Sequence, residues 1–151
     1  MADPLSLVAT ILSLVTGCGK VTAVLRDLKQ SYSDAPSVLQ ALAVDCTTTT
    51  VVLQRLEHVL RSNPQLLAAP SRGTQNLKSS FETLVQDISN SIHRLGQEVG
   101  HIAIVAKDGS VDMSNSSRAK FMWKEEFLRS SLQEIREYRS ALSFLLDCIQ
   151  M

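Results

Sequence analysis

The sequence predicts an all-α protein, an antiparallel bundle of about four long helices, from three observations. Apolar residues recur at steps of three and four along four separate stretches of the 151-residue chain. Only 6 glycines and 4 prolines interrupt these stretches. No alternation of apolar and polar residues, which is typical of strands, competes with the helical period. A chain of this length is ordinarily one domain, so we expect residues 1–151 to form a single helical-bundle domain.

The first helix is predicted to begin at Asp3-Pro4, since a capping carboxylate followed by proline is typical of a helix start, and to end near Tyr32. Its first half, Pro4–Gly19, has no charged residue and is apolar on nearly all sides. We therefore expect this helix to be the most buried of the four. Its two glycines, Gly17 and Gly19, permit close approach of a neighbouring helix.

Two interpretations of this apolar segment stay open. It is either a helix buried in its own bundle or a helix that can leave the bundle and enter a bilayer. At about 1.5 Å per residue it spans about 24 Å, less than the ~30 Å hydrocarbon core. The residues that would insert are Leu5, Leu7, Val8, Ile11, Leu12, Leu14 and Val15.

Basic residues follow the apolar segment along the same helix. Lys20, Arg26 and Lys29 are typical of a solvated face, with Asp27 partly offsetting their charge. They are also candidates for contact with anionic lipid headgroups once the segment is inserted.

The second helix is predicted to follow Asp34-Ala35-Pro36 and to end near Asn63-Pro64, since proline disfavours helix in the residue before it. Within it, the hydroxyls of Thr47–Thr50 are expected to bond back to carbonyls one turn earlier and to bend the helix without ending it. The third helix is predicted from about Thr74 to Ala106. After it, Lys107–Ser117 is predicted to be a mobile loop, because it is rich in turn-forming residues.

The fourth helix is predicted to run close to the C-terminus, with Glu125 and Arg129 as an i, i+4 pair. Trp123, the single tryptophan, lies near its start. We interpret Trp123 as a packing anchor. The alternative is contact with a partner or a membrane, because tryptophan favours sites with one apolar and one wet side.

Charge and motif content argue against several function classes. Fifteen basic residues balance 15 acidic ones, without the basic excess of a nucleic-acid-binding protein, so we expect no nucleic-acid partner. Recognised nucleotide-binding, hydrolase and zinc-protease motifs are lacking, so we expect no enzyme, no small-molecule substrate and no cofactor. Glu98-x-x-His101 is half of a carboxylate-bundle metal motif without a second copy, so we expect no metal site.

The cysteines point to a reducing compartment. Cys18, Cys46 and Cys148 are odd in number and widely spaced, which argues against a disulfide framework. We expect all three to be small buried side chains of a cytoplasmic protein.

Several stretches of the chain resemble a known family. They are Met1–Ser6, Asp34–Pro36, Lys120–Glu126 and Tyr138–Ser143. They are similar to the N-terminal domain found on fungal STAND proteins, the NOD-like receptors of fungi, a family related to the HeLo-like domains. The likeness spans nearly the whole chain and is strongest at its two ends. The threonine run and Gly17-Cys18-Gly19 depart from the family pattern.

The resemblance implies a helical bundle at the N-terminus of a larger receptor. It implies signalling in programmed cell death, heterokaryon incompatibility or innate immunity, through oligomerisation and perturbation of the plasma membrane by the first helix. The implied partners are other proteins or further copies of the chain, together with membrane phospholipids. A second function class stays open: an adaptor that mediates protein interaction or oligomerisation without touching a membrane. An adaptor needs only one apolar stripe on its first helix, whereas the membrane-active class keeps that helix apolar on all faces.

Overall fold

Four helices make up most of the described part of the protein. The computed structural model describes residues 4–33, 35–63, 72–108 and 123–149. The helices are α1 (Pro4–Ser31), α2 (Val38–Ser62), α3 (Arg72–Asp108) and α4 (Glu125–Ile149), and these described ranges contain no strand. The predicted all-α bundle of four long helices is confirmed.

The helices end close to the predicted positions. α2 ends at Ser62, directly before Asn63-Pro64, and α3 extends the predicted third helix by two residues at each end. The predicted cap Asp3 lies outside the described residues, as do Asp34 of the predicted start signal and the predicted loop from residue 109 onward.

Consecutive helices alternate in direction, and each helix packs against two others. α1 contacts α2 and α3, and α4 contacts the same two helices, so the order around the bundle is α1, α2, α4, α3. The neighbours α1 and α3 run parallel. Gly17 lies beside Ile92 and, four residues further along both helices, Val21 lies beside Gly96.

The neighbours α2 and α4 also run parallel. Asp45 pairs with Arg139, and ten residues further along α2, Arg55 pairs with Asp147. The bundle therefore consists of two antiparallel hairpins, α1–α2 and α3–α4, that lie side by side. The helices that meet between the hairpins, α1 with α3 and α2 with α4, run in the same direction.

α2, and not α1, contributes most to the buried core, so the prediction that α1 would be the most buried helix is wrong. α1 leaves one side open to solvent, where Leu12 is 42% exposed and Ala9, Ser13 and Thr16 are also exposed. The physical reason is that small and hydroxyl-bearing side chains can remain exposed to water at little free-energy cost, so an uncharged segment need not be buried on all sides.

The close approach between α1 and α3 occurs at Gly96, not at the glycines expected to permit it. A Cβ at Gly96 would lie 3.2 Å from Val21 Cγ2, tighter than ordinary van der Waals contact. A Cβ at Gly17 would lie 3.9 Å from Ile92 Cγ2, and one at Gly19 would meet nothing within 4 Å.

The threonine run stays helical, as predicted. Each hydroxyl of Thr47–Thr50 donates to the carbonyl four residues earlier, with oxygen–oxygen distances of 2.7–3.0 Å. These bonds satisfy the hydroxyls within α2 itself.

Candidate functional site at the N-terminal helix

The candidate membrane-inserting residues lie on more than one side of α1. Leu12 is 42% exposed, Val15 is half-buried, and the side chain of Leu5 lies outside the described part. The remaining candidates are buried against the other helices: Leu7, Val8, Ile11 and Leu14. In the bundle, α1 therefore presents apolar side chains both inward and outward.

α1 is the one helix in the described ranges that is long and apolar enough to cross a bilayer by length and composition. The qualifying segment is Ser6–Ser31, 26 residues, which at about 1.5 Å per residue reaches about 39 Å and exceeds the ~30 Å hydrocarbon core. Only 33% of its most apolar window is buried in the bundle. A core helix of a soluble protein passes the same test, so this property fits both interpretations of α1.

Within the described ranges, ion pairs join the other three helices and leave α1 out. The pairs that join helices are Arg55–Asp147, Arg136–Asp45 and Arg139–Asp45 between α2 and α4, and Arg94–Glu134 between α3 and α4. Among the described residues, no ion pair includes a residue of α1, although this helix contains Lys20, Arg26, Asp27 and Lys29. Apolar packing thus dominates the attachment of α1.

Apart from that packing, α1 has specific contacts near its C-terminal end. Lys29 Nζ donates a hydrogen bond to the Ala35 carbonyl at 3.0 Å. The Tyr32 ring meets the Trp123 ring edge-on, with centroids 6.0 Å apart and an interplanar angle of 66°. Lys29 is therefore engaged in the resting bundle, whereas Lys20 and Arg26, the other two candidates for headgroup contact, are exposed.

Trp123 is only 2% exposed, which favours its interpretation as a packing anchor. The backbone turns at the next residue, Lys124, whose φ of 48° lies in the left-handed region that is uncommon for a residue other than glycine. Lys124 pairs with Glu98 of α3. The two residues before α4 are therefore fixed to α1 through Tyr32 and to α3 through Glu98.

Two buried cysteines lie in a reciprocal arrangement where α1 meets α2. The Cys18 thiol lies near Thr50, and the Cys46 thiol lies near Thr22. The Thr22 hydroxyl also donates to the Cys18 carbonyl at 2.7 Å, and the Thr50 hydroxyl donates to the Cys46 carbonyl at 3.0 Å. Each helix thus supplies a Cys-x-x-x-Thr unit whose thiol meets the threonine of the other helix.

The environment of these two thiols keeps them protonated. Burial raises the pKa of Cys18 to about 11, against the smaller lowering effect of the nearby Thr50 side chain. Burial, together with the nearby Cys18 and Asp45, raises the pKa of Cys46 to about 12. Since the thiolate is the reactive form, both cysteines are unreactive at neutral pH while α1 covers α2.

Cys148 is exposed on α4, so the prediction that all three cysteines are buried is wrong for this residue. The buried side of α4 runs through Leu142 and Leu146. Two residues further on, a helical side chain lies about 200° around the axis, which places Cys148 on the solvent side.

Asp45 is a structural residue that the sequence analysis missed. It is 5% exposed on α2, and its Oδ2 lies 3.1 Å from Arg136 Nη2 while its Oδ1 pairs with Arg139. Burial by itself raises the pKa of Asp45, but the two guanidinium groups outweigh it and hold the pKa below its ordinary value of 3.8. The available signal was that Asp45 is the only charged residue from position 35 to 54.

The half-motif for a metal does not form a cluster in the described part. Glu98 pairs with Lys124, and within the described ranges no group of three or more His, Cys, Asp or Glu side chains could hold a metal ion.

No family model, no curated protein and no solved structure matches this chain. The protein is a four-helix bundle whose first helix has the length and composition of a membrane-spanning helix. In the described part, ion pairs join the other three helices but not this one.

Proposed function

We propose that the protein is the N-terminal effector or signalling domain of a fungal NOD-like receptor, acting in programmed cell death or heterokaryon incompatibility. Oligomerisation of the cytoplasmic protein frees α1, which enters and perturbs the plasma membrane. The observation that supports this proposal is that α1, the one described helix fit to span a bilayer, has no ion pair to the described part of the bundle.

The energetics of such a step favour α1 over the other helices. When α1 leaves the bundle, it loses the free energy of burying its apolar surface, about 25 cal/mol per Å². Insertion into lipid buries that surface again and restores this free energy. No ion pair of the described residues has to be broken. The charge-free part of α1 ends at Gly19, so its insertion leaves the exposed Lys20 and Arg26 outside the hydrocarbon core. There they meet anionic headgroups, each contributing about 1 kcal/mol.

A second candidate function is an adaptor that binds protein partners or further copies of the chain without a membrane. A strip on the outward side of α2 favours it: Val44 is 50% exposed and Val51 is 59% exposed, with the exposed Thr48 between them. An uncharged, exposed strip of this kind is suited to contact with the surface of another protein. Neither candidate involves catalysis, a cofactor, a small-molecule substrate or nucleic acid.

Dye release from liposomes separates the two candidates. The domain is fused to an inducible dimeriser and added to vesicles containing phosphatidylserine. The parent is expected to release dye when oligomerised. Ser13→Glu is expected to abolish release, because a charge within an inserted segment costs about 3 kcal/mol, whereas Ser13 is exposed in the resting bundle and its replacement leaves the fold intact.

The matched control is Ser140→Glu, the same change at an exposed position of α4. This variant should release dye as the parent does, and circular dichroism should show both variants folded. If the oligomerised parent releases nothing, or if folded Ser13→Glu releases as much dye as Ser140→Glu, α1 is only a core element and the adaptor function takes its place.

A further inference from the structure

A groove with an apolar floor runs between α1 and α3. Its volume is about 340 Å³, at the lower end of the range of roughly 300–1,000 Å³ typical of small-molecule sites. The floor is formed by Val21, Val24, Ile92 and Val99. Gly17 also lines the groove, and a Cβ at this position would lie 3.9 Å from Ile92 Cγ2 of the floor.

The rim of this groove is polar and carries positive charge. Lys20, His93 and Gln97 line it, and no acidic residue is among its described lining. Lys20 is exposed and, among the described residues, forms no ion pair. An apolar floor beside an unpaired ammonium group complements a molecule with an apolar chain and an anionic head.

We propose that this groove binds an anionic amphiphile of medium chain length, with its apolar chain along the valine and isoleucine floor and its anionic group at Lys20. The bound chain touches both α1 and α3. It therefore binds only while these helices are together, and it stabilises the resting bundle by mass action. The ligand thus opposes departure of α1, a regulation that goes beyond the proposed membrane function.

Binding is measured by isothermal titration calorimetry of the resting domain with sodium decanoate below its micelle concentration, with decanol as the uncharged analogue. Decanoate should bind with one site per chain, and decanol more weakly. Lys20→Gln should weaken decanoate binding by about fivefold, the scale expected for an exposed ion pair, while Arg26→Gln should leave it unchanged.

Gly17→Leu fills the groove. A Cβ at this position makes only ordinary contact with Ile92, so the fold should tolerate the change while decanoate affinity falls by more than tenfold. Gly19→Leu is the matched control: it makes the same change two residues along α1, where a Cβ meets nothing within 4 Å, and it should bind decanoate as the parent does.

Absence of decanoate binding to the parent would overturn the proposal, as would equal binding by folded Gly17→Leu and Gly19→Leu. Equal affinity for decanoate and decanol, or no effect of Lys20→Gln, would equally overturn the anionic specificity. Because these titrations contain no vesicles, their outcome is independent of the dye-release experiment.

Discussion

Replacing Asp45 with asparagine is expected to lower the free energy of unfolding by about 3 kcal/mol. The change removes the charge that neutralises Arg136 and Arg139 where α2 meets α4. Breaking a buried pair costs about 3–5 kcal/mol, and the lower end applies here because the side chain of Arg136 is 52% exposed. The measurement is urea denaturation followed by circular dichroism at neutral pH.

Asp147→Asn is the matched control for this substitution. It makes the same chemical change between the same two helices, but the Asp147 side chain is 67% exposed and pairs with Arg55 at 2.9 Å. An exposed pair contributes about 1 kcal/mol at most. Equal losses in the two variants would show that Asp45 does not join α2 to α4 as described.

The stability that Asp45 contributes also depends on pH, with a defined sign. Its pKa in the folded protein lies below the ordinary value of 3.8. The contribution is therefore complete above that value and is lost as the pH falls through the lower folded pKa. The stability difference between the parent and Asp45→Asn should stay constant near neutrality and narrow in acid.

Replacing Trp123 with alanine is the second large change, with an expected loss of about 3–5 kcal/mol. Trp123 is 2% exposed and packs on Tyr32 beyond the end of α1, so its removal leaves a cavity where the connection to α4 meets α1. Because this contact anchors the C-terminal end of α1, the variant should also release dye at a lower degree of oligomerisation.

Two substitutions calibrate the Trp123 result, again by urea denaturation. Trp123→Phe keeps an aromatic ring and loses an indole nitrogen that has no hydrogen-bond partner among the described residues, so most of the stability should remain. Phe127→Ala removes an aromatic ring that is 36% exposed and should cost about 1 kcal/mol. A loss for Trp123→Ala no larger than that for Phe127→Ala would contradict its role as an anchor.

The class of fold followed from the sequence because apolar residues at helical spacing appear in four stretches bounded by proline, glycine and turn residues. The order around the bundle did not follow. An apolar stripe shows that a helix has a buried side, but not which neighbours cover it. Here the close approach at Gly96 and the pairing of Asp45 with Arg139 define the two parallel contacts, and their partners lie far apart in sequence.

Only those features of the candidate site that depend on the composition of a single helix could be predicted from the sequence. The absence of charge from Pro4 to Gly19 identified α1 as a candidate membrane helix. Which of its charges are free depends on tertiary contacts: Lys29 is engaged by the Ala35 carbonyl across the turn into α2. The role of Asp45 depends on partners 91 and 94 residues away, which local patterns cannot reveal.

The proposed membrane function requires α1 to leave the bundle, and chemical modification of Cys46 reports this departure. Cys46 is fully buried and lies near Thr22 of α1, and burial raises its pKa to about 12. In the resting domain, a water-soluble maleimide should therefore label only the exposed Cys148. The labelled positions are identified by mass spectrometry of the cleaved protein.

After oligomerisation on phosphatidylserine vesicles, we expect Cys46 to become labelled while Cys18, carried into the bilayer with α1, stays protected. Oligomerised protein without vesicles is the control for the effect of lipid, and labelling of both cysteines would indicate general unfolding instead. The expected result is labelling of Cys46 in addition to Cys148, without labelling of Cys18 and in step with dye release. Dye release while Cys46 remains unlabelled would contradict it, because the membrane would then be perturbed with α1 still in place.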